Sequence, residues 1–236
     1  MLKAVLREGV VGRAIEREVL QVALHDLRDY SADRHRSVDD VAYGGGPGMV
    51  LKPEPFFRAV AAIRRRHGDP DAVVLLSPQG RVFRHEEAAR LSRLRHVALL
   101  CGRYEGVDER VREQVVTDEL SIGDYVLSGG ELPAAVVIDA VARLVPGVVG
   151  DTRSVDEDSF VRGMLDHPHY TRPAEVDAHG VPDVLLSGHH AEIRHWRKRE
   201  AVRRTLERRP DLLEHAVLDD EERAILRELK DEGKGQ

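Results

Sequence analysis

The 236-residue chain has a single cysteine, Cys101, which excludes an intrachain disulfide and a CxxC metal site. It has no apolar run near the roughly 20 residues needed to cross a bilayer. Its first ten residues are broken by Lys3, Arg7 and Glu8, unlike a signal peptide. Neither GxGxxG after a first strand nor GxxxxGKS/T occurs; Gly44 to Gly48 supply glycines without the lysine. A nucleotide held by its triphosphate on a P-loop is thereby disfavoured, and a nucleoside-like cofactor gripped by backbone loops fits better. Lys and Arg number 36 against 42 Asp and Glu, a formal charge of −6, which as a bare sum argues against a nucleic-acid partner. A cytoplasmic protein with no membrane contact is expected.

Apolar residues at 42% and charged ones at 33% are an ordinary globular balance, enough for one large domain or a medium one plus a small one. Pro53 opens a helix with Phe56, Val60 and Ile63 on one face. Ala72–Leu76 and His96–Leu100 read as buried strands, Tyr125–Leu127 as a short third strand, and His85–Leu94 and Pro133–Val145 as helices. This alternation predicts an α/β domain with a parallel sheet over residues 1–149. Residues 150–163 read as a linker, and 164–236 as a small, mostly helical domain.

Ligands of open parallel sheets bind beyond the carboxyl ends of the strands. Three glycine-containing loops follow strand candidates there: Ser77–Gly80, Gly102–Gly106 and Ser121–Glu131. One such turn is ordinary, but three at successive strand ends point to a ligand site.

These loops carry a resemblance. LSPQG (76–80), GRYEG (102–106) and SIGDYVLSGGELP (121–133) are similar to segments of the bacterial tRNA (guanine-N1)-methyltransferase family, TrmD, of the SPOUT superfamily. So are YGGGPGM (43–49), DSF (158–160), LDHPHYTRP (165–173) and LLSGHHAEIRHWR (185–197), so that the likeness covers nearly the whole chain. The resemblance implies a deep trefoil-knot α/β domain, a homodimer with active sites at the subunit interface, and methyl transfer from S-adenosylmethionine to N1 of guanosine 37 in tRNA. It implies cofactor contacts at Leu76, Ser77, Pro78, Gly102, Tyr104, Ser121, Ile122, Gly123, Asp124, Tyr125, Val126, Leu127, Gly129, Gly130 and Pro133. A magnesium ion is a family-level expectation that no motif here encodes, and no metal-binding residues are assigned.

By the same resemblance Asp158 is the general base for the guanine ring proton, although 156–158 alone reads as a solvated acidic run. Arg143 would stabilise charge building on the guanine carbonyl; as a bare sequence feature it is an arginine closing a helix. Glu105 would accept hydrogen bonds from the guanine amino edge, or else pair with Arg103. His167 and His169 read as a structured turn.

Position modifies the charge argument. Residues 194–209 hold eight Lys or Arg against Glu200 and Glu207, with the only tryptophan, Trp196, among them. Arg194, Arg197 and Lys198 are the expected RNA contacts. An acidic tail follows directly. Another SPOUT RNA methyltransferase, or a catalytically silent RNA-binding protein using the basic helix alone, shares parts of this pattern. Family members open with a strand and a Phe-Pro-Glu turn that have no counterpart before the first helix here. Either the start is misassigned or the chain is genuinely short; in the second case reduced thermal stability is expected.

Overall fold

The computed structural model describes residues 2–150 and 158–234, within two compact units, Met1–Gly150 and Asp151–Gln236. Residues 151–157, half of the expected linker, lie outside the described residues.

The first unit is built on a three-stranded parallel sheet in the order β4-β3-β5, with β3 at Ala72–Val82, β4 at Val97–Cys101 and β5 at Asp118–Ser121. Two short strands, β1 (Asp39–Asp40) and β2 (Val50–Leu51), pair separately. Side chains of β3 alternate between two cores, as the twofold pleat demands. Val73 and Leu75 pack with Phe56, Val60 and Val111, whereas Ala72, Val74 and Leu76 pack with Leu91, Leu120, Ala134 and Val137. Helices α3 (Pro53–His67) and α5 (Glu109–Val115) supply the first set, and α4 (His85–Leu91) and α6 (Glu131–Ala142) the second. Both faces are covered, which is why residues 72–76 are apolar without interruption. Each fully buried aliphatic side chain contributes about 1.5–3 kcal/mol. Helix α3 has proline at its first position, Glu54 in its first turn and Arg64–His67 in its last, and stops at Gly68 with φ +83°.

Two strand expectations need correction. Tyr125–Leu127 is exposed loop, and the third strand is Asp118–Ser121. Its Asp118 and Glu119 meet arginines, so the stretch lacks an apolar run. Ser77–Gly80 is not a loop after β3 but a bulge within it: Leu76 and Arg81 both register with Leu120. Helix α6 also begins at Glu131, two residues earlier than Pro133, which sits in its first turn.

Helices α1 (Leu2–Val5) and α2 (Gly9–Glu16) pack on α6 through Leu6, Val11, Ala14 and Ala142. Residues 21–26 then run without regular structure. Their inner side and all of β4 line one cavity of about 1120 Å³. β4 pairs only with β3 among the described residues, so its other edge opens onto that cavity.

Among the described residues the second unit is helical with one addition, an exposed hairpin of β6 (Glu175–Val176) and β7 (His179–Gly180). Helix α7 (Asp183–Leu186) leads into α8 (His190–Arg208), and α9 (Asp220–Lys234) packs back on α8 around Val202, Ile225, Leu229 and Met164. Asp219 and Glu222 cap α9 reciprocally: the Glu222 amide donates to Asp219 Oδ1 at 2.9 Å and the Asp219 amide to Glu222 Oε2 at 2.8 Å. Among the described residues, no helix is long and apolar enough to cross a membrane.

Candidate functional site

At the carboxyl end of the sheet the loops are tied to one another by backbone. Gly130 N–H donates to Gly102 carbonyl oxygen at 2.8 Å, and Arg103 and Gly129 form an isolated antiparallel bridge. The Glu105 amide donates to the Met49 carbonyl at 3.0 Å, and the Leu51 amide to the Gly106 carbonyl at 2.9 Å. The 43–49 glycine loop, the 102–106 loop and the 121–131 loop are thus joined. The Ser77–Gly80 bulge meets β5, where the Phe83 amide donates to the Ser121 carbonyl at 2.7 Å.

Glycine is required at the closest of these approaches. A Cβ on Gly130 would lie 2.7 Å from the Cys101 Cα, and one on Gly80 2.4 Å from the Leu120 amide nitrogen. No side chain can stand at either point without moving the backbone.

Of the expected cofactor contacts, Leu76 and Ser121 are buried, Ser77, Gly102, Ile122, Gly123, Gly129 and Pro133 are half-buried, and Gly130 is buried beneath the loops. Pro78, Tyr104, Asp124, Tyr125, Val126 and Leu127 are exposed. Gly123 holds φ +147°, its N–H donates to Ser121 Oγ at 3.2 Å, and the Tyr125 hydroxyl donates to the Ile122 carbonyl at 3.3 Å. The amides of Val126, Leu127 and Ser128 make no backbone hydrogen bond to the described residues. Loop amides that are not spent on the backbone suit a ligand with several polar edges.

Arg103 pairs with Glu131, Nε to Oε1 at 2.8 Å, rather than with Glu105. Glu105 is exposed and instead packs against Gly48, where a Cβ would approach its Oε1 to 2.3 Å. Cys101 sits beneath the same loops. Burial, then the nearby Glu131 charge, pushes its thiol up to about 12, which keeps it protonated and unreactive. Arg143 caps the end of α6 in the first unit, exposed. Asp158 opens the described part of the second unit and is half-buried.

The basic helix is less bare than its sequence. Lys198 Nζ lies 2.8 Å from Asp219 Oδ2 and 2.5 Å from Glu221 Oε2, and Arg199 reaches Glu228 and Glu232 at 3.2 and 2.8 Å. Those contacts, Asp219 first, hold the Lys198 ammonium above the ordinary lysine range. The acidic tail therefore neutralises one side of α8, and Lys198 is a structural cation. Arg194 and Arg197 are exposed and make no ion pair with the described residues.

The 166–172 turn proves richer than its sequence suggested. His169 Nε2 lies 2.7 Å from Asp166 Oδ2, and the His167 ring lies against His169 with centroids 4.4 Å apart and a tilt of 42°. Asp166, His167 and His169 bring one ligand atom each within 4.8 Å of the others, a grouping whose only sequence signal is the His-Pro-His spacing. Trp196, Tyr170, Arg172 and Arg197 line a cavity of about 430 Å³ beside it, which the chain order does not reveal.

Comparison with known proteins identifies the family. The family described as tRNA (Guanine-1)-methyltransferase TrmD matches residues 1–215. A curated tRNA (guanine-N(1)-)-methyltransferase of Pelotomaculum thermopropionicum is 56% identical over 222 residues, covering 94% of this chain and 88% of that one. Proteins of the same name from Geobacter metallireducens, at 52% over 98% of this chain and 94% of their own, and Desulforamulus reducens, at 49% over 98% and 91%, are similar throughout.

Proposed function

The chain belongs to the tRNA (guanine-1)-methyltransferase family, and from that premise we propose that it methylates N1 of guanosine 37, beside the tRNA anticodon, using S-adenosylmethionine. The observation that carries this reading is the backbone-zipped cluster of the 102–106 and 121–131 loops, closed by Gly130 against Cys101. Glycine at 130 lets the 121–131 loop lie directly on the end of β4, while the amides of 126–128 are available to the polar edges of a nucleoside-like ligand. S-adenosylmethionine supplies an activated methyl whose thioether leaves readily.

The chain's own residues orient the acceptor and move its proton. Asp158 takes the ring N–H proton, and Arg143 balances the negative charge that shifts to the guanine carbonyl oxygen. Glu105 accepts from the amino edge. No step is assigned to magnesium. Arg194 and Arg197 contact phosphates, with Lys198 holding α8 to α9. Tyr125 (55% exposed), Val126 (83%), Leu132 (45%) and Val136 (48%) form an apolar stretch on and after the site loop. That exposure supports a homodimer in which a second copy covers the stretch beside each site. The parallel order β4-β3-β5, with the 121–131 loop returning onto Gly102, supports the SPOUT knot. In this reading residues 1–149 are the cofactor domain, 150–163 the linker and 164–236 the tRNA-binding domain, working in the cytoplasm.

The test is transfer of labelled methyl to a tRNA transcript with G before the target G. Asp158→Ala is expected to bind cofactor normally in calorimetry while losing at least about a hundredfold in rate. Full activity in that variant removes Asp158 from the mechanism, and absence of cofactor binding in the wild type leaves only an RNA-binding protein.

A further inference from the structure

We infer that the second unit holds a stacking site for one unpaired nucleobase of the RNA, built by Trp196 and Tyr170 and rimmed by Arg172 and Arg197. The inference rests on the tRNA reading above and deepens it.

The cavity beside the 166–172 turn is about 430 Å³, within the usual range for small-ligand pockets and far too small for a duplex. Leu185 and Ile193 form apolar lining. The Trp196 ring lies 6.3 Å from the Tyr170 ring at 53° and 6.3 Å from the His167 ring at 60°. These rings line the cavity from two separate elements, the turn and α8. Tyr170 is 49% exposed, so its ring is available rather than spent in a core. The turn is pinned: the His167 amide donates to Asp166 Oδ1 at 2.6 Å, and the Asp166 amide donates to Ser159 Oγ at 2.9 Å.

Charge selects the ligand. The next two cations along α8, Lys198 and Arg199, are neutralised by α9, but Arg197 and Arg172 make no ion pair with the described residues. Aromatic faces with guanidinium groups at the rim match a flat base joined to a phosphate. An apolar peptide would leave both guanidinium groups idle, and a purely electrostatic contact would not need the aromatic walls. Unpaired loop bases are the part of an RNA that can be splayed onto such a surface.

Trp196 is the only tryptophan, so its fluorescence reports the site directly. The full chain is titrated with an anticodon stem-loop and with a blunt duplex of equal charge. Saturable quenching by the stem-loop and not by the duplex is expected. Tyr170→Ala should weaken stem-loop binding about 5- to 150-fold, as for loss of one stacked base, with Tyr170→Phe restoring it. Cofactor affinity and melting temperature, measured on the same samples, should not move. Arg197→Ala should lower the salt slope by about one. Equal quenching by the duplex, or unchanged stem-loop affinity in Tyr170→Ala, overturns the site. If tRNA is methylated in that case, the methyltransferase reading survives alone. If the stem-loop quenches as expected but no tRNA is methylated, the stacking site stands and that reading falls.

Discussion

Glu222 is 1% exposed and grips the Arg162 guanidinium with both carboxylate oxygens, at 2.9 and 2.7 Å. The same carboxylate closes the cap of α9 through the Asp219 amide. One buried charge thus ties the start of the second unit, next to Ser159 and Asp158, to its last helix. Removing it leaves a capping amide unpaired and the Arg162 guanidinium with the Val217 carbonyl at 2.9 Å but no carboxylate. Arg162 is 43% exposed at its side chain, so water softens the loss. Glu222→Ala is expected to cost about 2–3 kcal/mol, measured by urea unfolding. A change under about 0.5 kcal/mol would mean that water already serves both groups.

This bond was invisible in the sequence because its partners are sixty residues apart, whereas the sheet was legible. Residues 72–76 are an apolar run because both faces of β3 are buried. β5 went unseen because Asp118 and Glu119 spend their charges on Arg81, Arg90 and Arg112. The site loops were legible as motifs, down to the glycines that the close approaches require. The pairing of α8 with the acidic tail was not, since charge opposition between distant segments shows only after folding.

An acid-sensitive cluster ties α4 to the sheet. Arg81 Nη2 reaches Glu87 at 2.7 Å and Asp118 at 2.8 Å, and Arg90 reaches Asp118 at 2.7 Å. The Arg81 hydrogen bond, above the other causes, holds the Glu87 carboxyl below its ordinary value. Burial pushes the Asp118 carboxyl up, but Arg81, Thr117 and Arg90 together outweigh it and leave it lowered. Depressed carboxyls stabilise the fold above their unfolded values, about 3.9 and 4.3, and lose that contribution as pH falls through the lower folded values. The melting-temperature advantage of wild type over Arg81→Ala should be full at about pH 6 and shrink below about pH 4. A gap independent of pH would assign Arg81 a packing role instead.

Cys101 should be silent to thiol reagents in the native state, because its thiol is pushed up to about 12. Labelling by a maleimide at neutral pH is expected to be slow while the first unit is closed and to accelerate as it opens, so its rate reports that opening. Rapid labelling without denaturant would contradict the burial beneath the loops.

The edge of β4 makes a stability prediction. β4 on one side and residues 21–26 on the other line the same cavity of about 1120 Å³, and Leu2 lines it too. Gln21, Val22, Ala23, Leu24 and His25 make no backbone hydrogen bond to the described residues. Unpaired amides and carbonyls on both sides would suit one added parallel or antiparallel strand. Fusing a short Val- and Ile-rich strand ahead of Met1 should raise the melting temperature by several degrees, while a Gly-Ser extension of equal length should not. Equal melting temperatures for the two fusions would show that the cavity does not accept a strand.

Gly130→Ala tests the proposed cofactor site without touching a charged group. Gly130 has φ −75° and ψ −4°, which alanine adopts freely, so backbone strain does not enter. The new methyl would instead stand 2.7 Å from the Cys101 Cα and 3.0 Å from the Gly102 nitrogen. Both are main-chain atoms at the end of β4 and cannot rotate away. The 121–131 loop must lift, breaking the bond from the Gly130 amide to the Gly102 carbonyl at 2.8 Å. Overpacking of this kind costs about 1–3 kcal/mol. Because the strain falls where the two loops meet, the loss should appear mainly as cofactor affinity reduced at least about tenfold, with a smaller fall in melting temperature. RNA binding by the second unit should be unchanged. If calorimetry finds cofactor affinity intact while stability falls, the zipped loops are scaffold, and the cofactor is held elsewhere.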